Sequence, residues 1–321
     1  MRLRKKIAVF FRVLRERTLA KKAPFFVSWQ ITNRCNLRCL YCDIWRIQEA
    51  ELTTSEVLET IDELQKMGTL AISFDGGEPL LRDDMGDIVT YCKSKVLSVS
   101  INTNGKLVPK RVTEIKNADY LKVSFDGPKE VHDFVRGNGA YDNTITAITA
   151  ARENNLKVIV NTTLTKFNLD YIDFILDTVK KWKMKVKFQP VRNTYELYPD
   201  IEKYKKTINK LILEKKRGNV CIINSASSLY YLLNWPNAKP LRCFAGIYFC
   251  RISPSGIVYP CKILRESKKQ LGYKCKSFAE AFKSLSGGYS CTGCWCTSPL
   301  ELNYLLSFKI GALFNISQII G

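Results

Sequence analysis

Cys35, Cys39 and Cys42 are separated by three and then two residues in the run Thr32-Asn33-Arg34-Cys35-Asn36-Leu37-Arg38-Cys39-Leu40-Tyr41-Cys42. Three thiolates on one short loop can grip three irons of a [4Fe–4S] cube and leave the fourth iron open to another ligand. A structural zinc site prefers four closed ligands, usually from paired CxxC units. The asymmetric spacing therefore points to a reactive cluster, with a zinc site or plain thiols as the alternatives.

The elements around this loop have a regular order. Phe25–Thr32 is apolar and β-branched, which predicts a strand ending just before Cys35. Further strands are predicted at Leu70–Asp75, Val96–Asn102, Tyr120–Phe125, Leu156–Leu164 and Lys185–Gln189. Helical spacing falls between them, at Thr54–Met67 and over residues 83–95, 109–117, 143–154 and 169–182. Thr53 and Glu56 offer a capping box to the first of these helices. Strand–helix repeats in this order predict an α/β fold with a parallel sheet and right-handed crossovers. A partial (β/α)6 TIM-like barrel and an open doubly wound sheet both satisfy the pattern. Either one puts functional residues at the carboxyl ends of the strands.

Three short runs occupy those ends, Phe74-Asp75-Gly76-Gly77-Glu78-Pro79, Asn102-Thr103-Asn104-Gly105 and Ser124-Phe125-Asp126-Gly127, and Val135-Arg136-Gly137 follows the last of them. Gly76 and Gly77 let backbone polar groups approach a ligand closely. Glu78 can accept from an ammonium group, and Arg136 can clamp a carboxylate as a fork.

With the CxxxCxxC loop and Tyr41 before its last cysteine, these runs resemble the radical S-adenosylmethionine (SAM) superfamily. The resemblance covers roughly residues 25–200. It implies that a [4Fe–4S] cluster on Cys35, Cys39 and Cys42 binds SAM. Tyr41, Gly76, Gly77, Glu78, Asn102, Ser124 and Arg136 then form the SAM seat, with Glu78 at the amine, Ser124 at the ribose and Arg136 at the carboxylate. It also implies reductive cleavage of SAM to methionine and a 5′-deoxyadenosyl radical, fed by an electron donor such as flavodoxin or ferredoxin. No individual catalytic residue emerges beyond this seat. His132 reads as a loop or pocket-wall residue.

Of the twelve cysteines, seven lie within residues 243–296, while Cys92 and Cys221 stand apart as buried or incidental thiols. With one histidine in the chain, multi-metal chemistry must rest on thiolates. The Cys243-x12-Gly256-x4-Cys261 pattern, followed by Cys291, Cys294 and Cys296, resembles a SPASM or twitch domain, a small cysteine-rich C-terminal domain with auxiliary clusters. It departs from a full SPASM pattern because no cysteine follows Cys296. Two protein-ligated cubes would take roughly eight thiolates, one more than residues 243–296 supply. One auxiliary [4Fe–4S] cluster is favoured, with Cys243, Cys261, Cys291 and Cys294 as the twitch-like set and Cys250 and Cys296 competing. A zinc ribbon is the alternative.

The expected organisation is a basic amphipathic helix at 1–24, the barrel at 25–200, a helical linker at 201–240, the cysteine-rich domain at 241–299 and an apolar tail at 300–321. Fifty Lys and Arg against thirty Asp and Glu give +20, which favours an anionic partner. A nucleic-acid partner is disfavoured, because no RNA-binding module shows and the basic residues are not interleaved with aromatics. The two terminal segments suggest peripheral membrane contact instead. Arg12, Arg15 and Arg17 interrupt the first apolar run, so it is not a signal peptide, and a cytoplasmic, membrane-associated enzyme is expected. The expected function is hydrogen abstraction from a lipid or lipid-linked substrate, with a peptide- or protein-modifying maturase as the alternative. RNA modification and a non-catalytic metal protein come behind.

Overall fold

A computed structural model describes residues 21–192, 194–237, 241–266, 272–274, 276–289, 291 and 293–307. Six strands follow the expected order: β1 (Phe26–Thr32), β2 (Ala71–Gly76), β3 (Ser98–Thr103), β4 (Tyr120–Ser124), β5 (Val158–Leu164) and β6 (Lys185–Pro190). Helices α1 (Thr54–Lys66), α2 (Met85–Ser94), α3 (Val108–Ile115), α4 (Lys129–Arg136), α5 (Ala140–Glu153) and α6 (Ile172–Lys181) connect them. Thr53 and Glu56 form the capping box, with the Thr53 amide donating to the Glu56 carboxylate at 2.8 Å.

All neighbours from β1 to β6 are parallel, in the spatial order β6-β5-β4-β3-β2-β1. Each crossover thus steps the same way along the sheet. Right-handed connections that never reverse place their helices on one face, which is barrel geometry and not doubly wound geometry. The sheet is a partial barrel, and this decides between the two architectures open from the sequence. Its outer core joins Val27, Trp29 and Ile31 of β1 to Val57, Ile61 and Leu64 of α1, all essentially without exposure. Each such side chain contributes about 1.5–3 kcal/mol by leaving water.

The sheet does not stop at β1. A short strand β7 (Phe249–Ile252) pairs parallel to β1, and β8 (Val258–Tyr259) pairs antiparallel to β7. The cysteine-rich segment therefore continues the barrel sheet across the expected boundary at residue 241. The segment expected as a linker is also part of the barrel. Helices α7 (Ile201–Lys216) and α8 (Ala226–Leu232) bury Tyr204, Ile208, Leu211 and Leu229 in the same core as Phe188 of β6.

Among the described residues three short helices follow: α9 (Lys262–Glu266), α10 (Phe278–Ser284) and α11 (Thr297–Leu306). Leu302, Leu305 and Leu306 of α11 are buried against Phe25, Phe26 and Phe244. That part of the apolar tail packs inward and offers no membrane face, because the barrel supplies apolar surface for it to cover. Leu313, Phe314 and the basic helix predicted near residues 3–14 lie outside the described residues. Among the described residues, no helix is long and apolar enough to cross a membrane.

Candidate active site and metal centre

The carboxyl ends of the strands open into one cavity of about 260 Å³. Cys35, Cys39, Cys42, Tyr41, Gly76, Gly77, Asn102, Ser124 and Arg136 all border it. These residues come from five separate runs of sequence, and the barrel topology brings them to one mouth.

The cysteine loop is sewn to its neighbours through backbone. The Gly77 amide donates to the Thr32 carbonyl at 2.9 Å, and the Glu78 amide to the Arg34 carbonyl at 2.8 Å. A Cβ on Gly77 would overlap the Arg34 carbonyl oxygen, and one on Gly76 the Thr32 carbonyl oxygen. Gly76 also holds φ at +145°, a conformation for glycine. The paired glycines are thus required by close backbone approach.

Glu78 stands elsewhere than the resemblance implies. It is fully buried and does not border the cavity. One carboxylate oxygen accepts from Thr103 Oγ1 at 2.8 Å and the Leu80 amide at 3.2 Å; the other accepts from the Asn104 amide at 2.8 Å. Asn104 Nδ2 in turn donates to Asn36 Oδ1 of the cysteine loop at 2.8 Å. Glu78 therefore ties the glycine turn to the Asn104 loop, and Gly76 and Gly77 are what the turn presents to the cavity. Burial pushes its carboxyl up to about 7, although all three donors pull the other way.

Arg136 is also already engaged. Its Nε donates to Asp126 Oδ2 at 2.7 Å in a buried pair. Burial works against its charge, but Asp126, Tyr41 and Cys39 outweigh that and leave the guanidinium more firmly protonated than usual. Asp126 also accepts from the Tyr41 hydroxyl at 3.2 Å and the Thr163 amide at 2.8 Å. His132, on α4, accepts from the Asp126 amide at 3.0 Å, and burial depresses its pKa to about 4. It acts as a neutral prop behind Asp126 and does not border the cavity. Asp126 lay within a run recognised in the sequence, but Tyr41 and Thr163 are distant in the chain, and the spacing to Arg136 and His132 did not by itself signal its role.

The far wall of the cavity was not foreseen. Lys187, Gln189, Arg192, Lys262 and Ser298 border it, together with an ion pair in which the buried Arg251 grips both oxygens of the half-buried Asp75 at 2.8 and 3.0 Å. Burial opposes ionisation of Asp75, and Arg251 overcomes it, keeping that carboxyl below its ordinary range. Lys122, behind this wall, donates to Ser100 Oγ at 2.8 Å, and burial lowers it to about 7. Asp75, Lys122, Lys187 and Gln189 lie on predicted strands, but nothing in those runs marked them as groups of this wall.

The second cysteine group divides in space. Cys243, Cys261, Cys291 and Cys294 border a small apolar void beside the main cavity, with Ala245, Phe249, Leu264 and Asn303. Cys250 and Cys296 border the main cavity, and Cys261 borders both. Burial, together with the neighbouring thiols, raises the Cys294 thiol far above its usual value. The Leu264 amide and Asn303 Nδ2 point at the sulfurs of Cys261 and Cys294, at 3.4 and 3.8 Å. Donors aimed at sulfur suit metal-bound thiolates, whose charge they stabilise. In the first group Cys35 and Cys39 are both raised by burial, Cys39 to about 11, and each feels the charge of Cys42. Crowded thiols that resist ionisation alone are matched to a cationic cluster that would take them as thiolates. Both groups have the thiol chemistry of iron–sulfur ligands, while among the described residues no three or more Cys, His, Asp or Glu side chains are already gathered as closely as a bound metal ion would hold them. Cys275 lies outside the described residues.

Comparison with known proteins agrees with this geometry. Residues 29–179 match the family described as the radical SAM superfamily. Mycofactocin maturase MftC of Mycolicibacterium smegmatis is 27% identical over 257 residues, covering 74% of this chain and 64% of that protein. An AdoMet-dependent heme synthase of Methanosarcina barkeri is 28% identical over 271 residues, covering 75% of this chain and 78% of that protein. Among solved structures, Streptococcus suis SuiB superposes with a TM-score of 0.67 at 15% identity, covering 88% of this chain and 69% of that one. The anSMEcpe complex with AdoMet and the Kp18Cys peptide gives 0.65 at 17% identity, covering 81% and 80%.

Residues 29–179 of this chain thus form a radical SAM domain, of the superfamily whose members use a [4Fe–4S] cluster and SAM. The chain spans 64% of the length of the mycofactocin maturase it matches.

Proposed function

We propose that this chain is a radical SAM enzyme that removes a hydrogen atom from its substrate and carries one auxiliary [4Fe–4S] cluster. The observation that supports this best is the common cavity shared by Cys35, Cys39, Cys42, the Gly76–Gly77 turn, Ser124 and Arg136. Cys35, Cys39 and Cys42 hold the SAM-site cluster, and Cys243, Cys261, Cys291 and Cys294 hold the auxiliary one. Together, reduced cluster and SAM supply methionine and a 5′-deoxyadenosyl radical.

The chain's own residues bind, orient and shield. Gly76 and Gly77 present backbone to the amine of SAM, and Ser124 and Asn102 meet its ribose side. Arg136, held by Asp126, offers its outer guanidinium edge to the carboxylate. Tyr41 packs beside the guanidinium, with the Arg136 Cζ 5.3 Å from its ring centre, and helps keep water out. The Asp75–Arg251 pair and Lys187 form the polar wall that the substrate faces.

Two substrate classes stay in competition. A lipid-linked substrate rests on the charge and apolarity of the terminal segments, and the inward packing of Leu302, Leu305 and Leu306 removes part of that support. A peptide substrate is favoured by relatives named as maturases and by the similarity to SuiB bound to its precursor peptide SuiA.

Anaerobic reconstitution followed by dithionite and SAM tests the activity. Formation of 5′-deoxyadenosine that disappears in Cys39→Ala is the expected result. A Cys39→Ala protein that still makes it would overturn the assignment.

A further inference from the structure

If the chain reduces a cluster on the Cys35–Cys42 loop, an electron must enter from outside, and one surface beside that loop is built to receive a carrier. Leu40 lies between two of the cysteines and is 48% exposed. Its amide donates to the Val135 carbonyl at 2.9 Å, which fixes the loop against α4. The preceding residue of α4, Phe134, is 60% exposed. Its ring meets that of Phe167 edge-on, with centroids 4.9 Å apart. A large aromatic and a leucine left in water beside a redox loop form the apolar centre of a contact patch.

Cations flank this centre. Lys166 lies over the Phe167 ring, its Nζ 5.2 Å from the centroid. Arg38 donates to the Cys35 and Leu37 carbonyls at 2.7 and 2.9 Å and stacks on Trp45 at 4.3 Å. Among the described residues neither Arg38 nor Lys166 is paired with a carboxylate, and the whole chain carries +20. An apolar centre with a cationic rim complements an acidic partner with an exposed apolar contact, and such charge pairing steers encounter.

Cys39 adjoins Leu40, and its sulfur is 3.9 Å from the Arg136 carbonyl at the end of the same α4 turn. A partner on this patch would set its cofactor next to the cluster loop. We infer that Leu40, Phe134, Phe167, Arg38 and Lys166 form the docking surface for an acidic one-electron carrier protein. This inference rests on the proposed function. In the step it serves, the carrier loses one electron and the cluster gains it; no bond is made or broken.

The test is the rate at which reduced flavodoxin bleaches the visible absorbance of the reconstituted protein, followed by stopped flow without SAM. Phe134→Ser and Lys166→Glu change exposed side chains that neither belong to the cysteine sets nor border the cavity. Each should slow flavodoxin-driven bleaching about tenfold, and bleaching by the wild type should slow as salt rises from about 50 to about 300 mM. Bleaching by dithionite should be unchanged in all three proteins. Variants as fast as the wild type with flavodoxin would overturn the surface, as would a wild type that flavodoxin cannot reduce. An equal loss with dithionite would also overturn it, because a small reductant needs no docking surface. Dithionite-driven 5′-deoxyadenosine formation reports on the proposed function separately. Its failure would strike that reading while the bleaching rates still judged the surface.

Discussion

Arg136 Nε meets Asp126 Oδ2 at 2.7 Å, with the carboxylate wholly buried and the guanidinium side chain nearly so. The pair places a cation at the cavity without leaving it unbalanced. Tyr41, Thr163 and His132 converge on the same aspartate, so it is the anchor of the Arg136 side of the cavity. Asp126→Ala leaves a buried guanidinium without its partner, which costs about 3–5 kcal/mol. Urea unfolding should register that loss, and Asp126→Ala/Arg136→Met should recover most of it. A single variant within about 0.5 kcal/mol of wild type would show that the pair does not hold the site.

The glycine turn gives a sharper prediction. A Cβ at residue 77 meets backbone, the Arg34 carbonyl, and backbone of the cysteine loop cannot swing aside as a side-chain tip can. Gly77→Ala should push residues 32–35 out of register with the turn. The variant should lose the SAM-site cluster and keep the auxiliary one, so iron per chain should fall by about half after reconstitution. Full iron content with full SAM cleavage would mean the loop tolerates the displacement.

Much of this architecture was legible because its signals are local. The alternation of β-branched runs with capped amphipathic helices marks β1 to β6, and the cysteine and glycine runs sit at their carboxyl ends, with Arg136 at the end of α4. Strand β7 escaped notice because Phe249–Ile252 is only four residues long and is held by pairing with β1, more than two hundred residues away. Helix α4 was missed because its eight residues follow Pro128 in a stretch that reads as a loop. The role of Asp126 depends on Arg136 and His132 of α4 and on Tyr41 and Thr163, and that of Glu78 on Thr103 and Asn104 at the end of β3, pairings that spacing alone does not reveal. The split of the later cysteines between void and cavity is likewise a three-dimensional fact.

That split separates two variants that the sequence treats alike. Cys294 shares the small void with Cys243, Cys261 and Cys291, while Cys296 borders the large cavity. Cys294→Ala should lose about four irons per chain and retain dithionite-driven SAM cleavage. Cys296→Ala should keep its iron and alter only substrate turnover. An iron assay on the two reconstituted variants decides the matter, and equal losses would exchange Cys296 into the ligand set.

Glu78 supplies a pH dependence whose sign is fixed by its burial. Its folded carboxyl is raised from 4.5 to about 7. Between those values the folded chain keeps a proton that the unfolded chain has released. The stabilisation this provides is therefore full below about pH 4.5 and is lost as pH rises through about 7. His132, depressed from 6.5 to about 4, works in the opposite sense, since its contribution is lost as pH falls below 6.5. Comparing wild type with Glu78→Gln cancels the histidine and every other group the two proteins share. The substituted amide cannot titrate, so the stability gap between the proteins should change by on the order of 2 kcal/mol between about pH 5.5 and about pH 7.5, with the wild type relatively weaker at the higher pH. Urea midpoints at the two pH values measure it. A gap that stays constant would mean Glu78 is already ionised at the lower pH, its three donors having prevailed over burial.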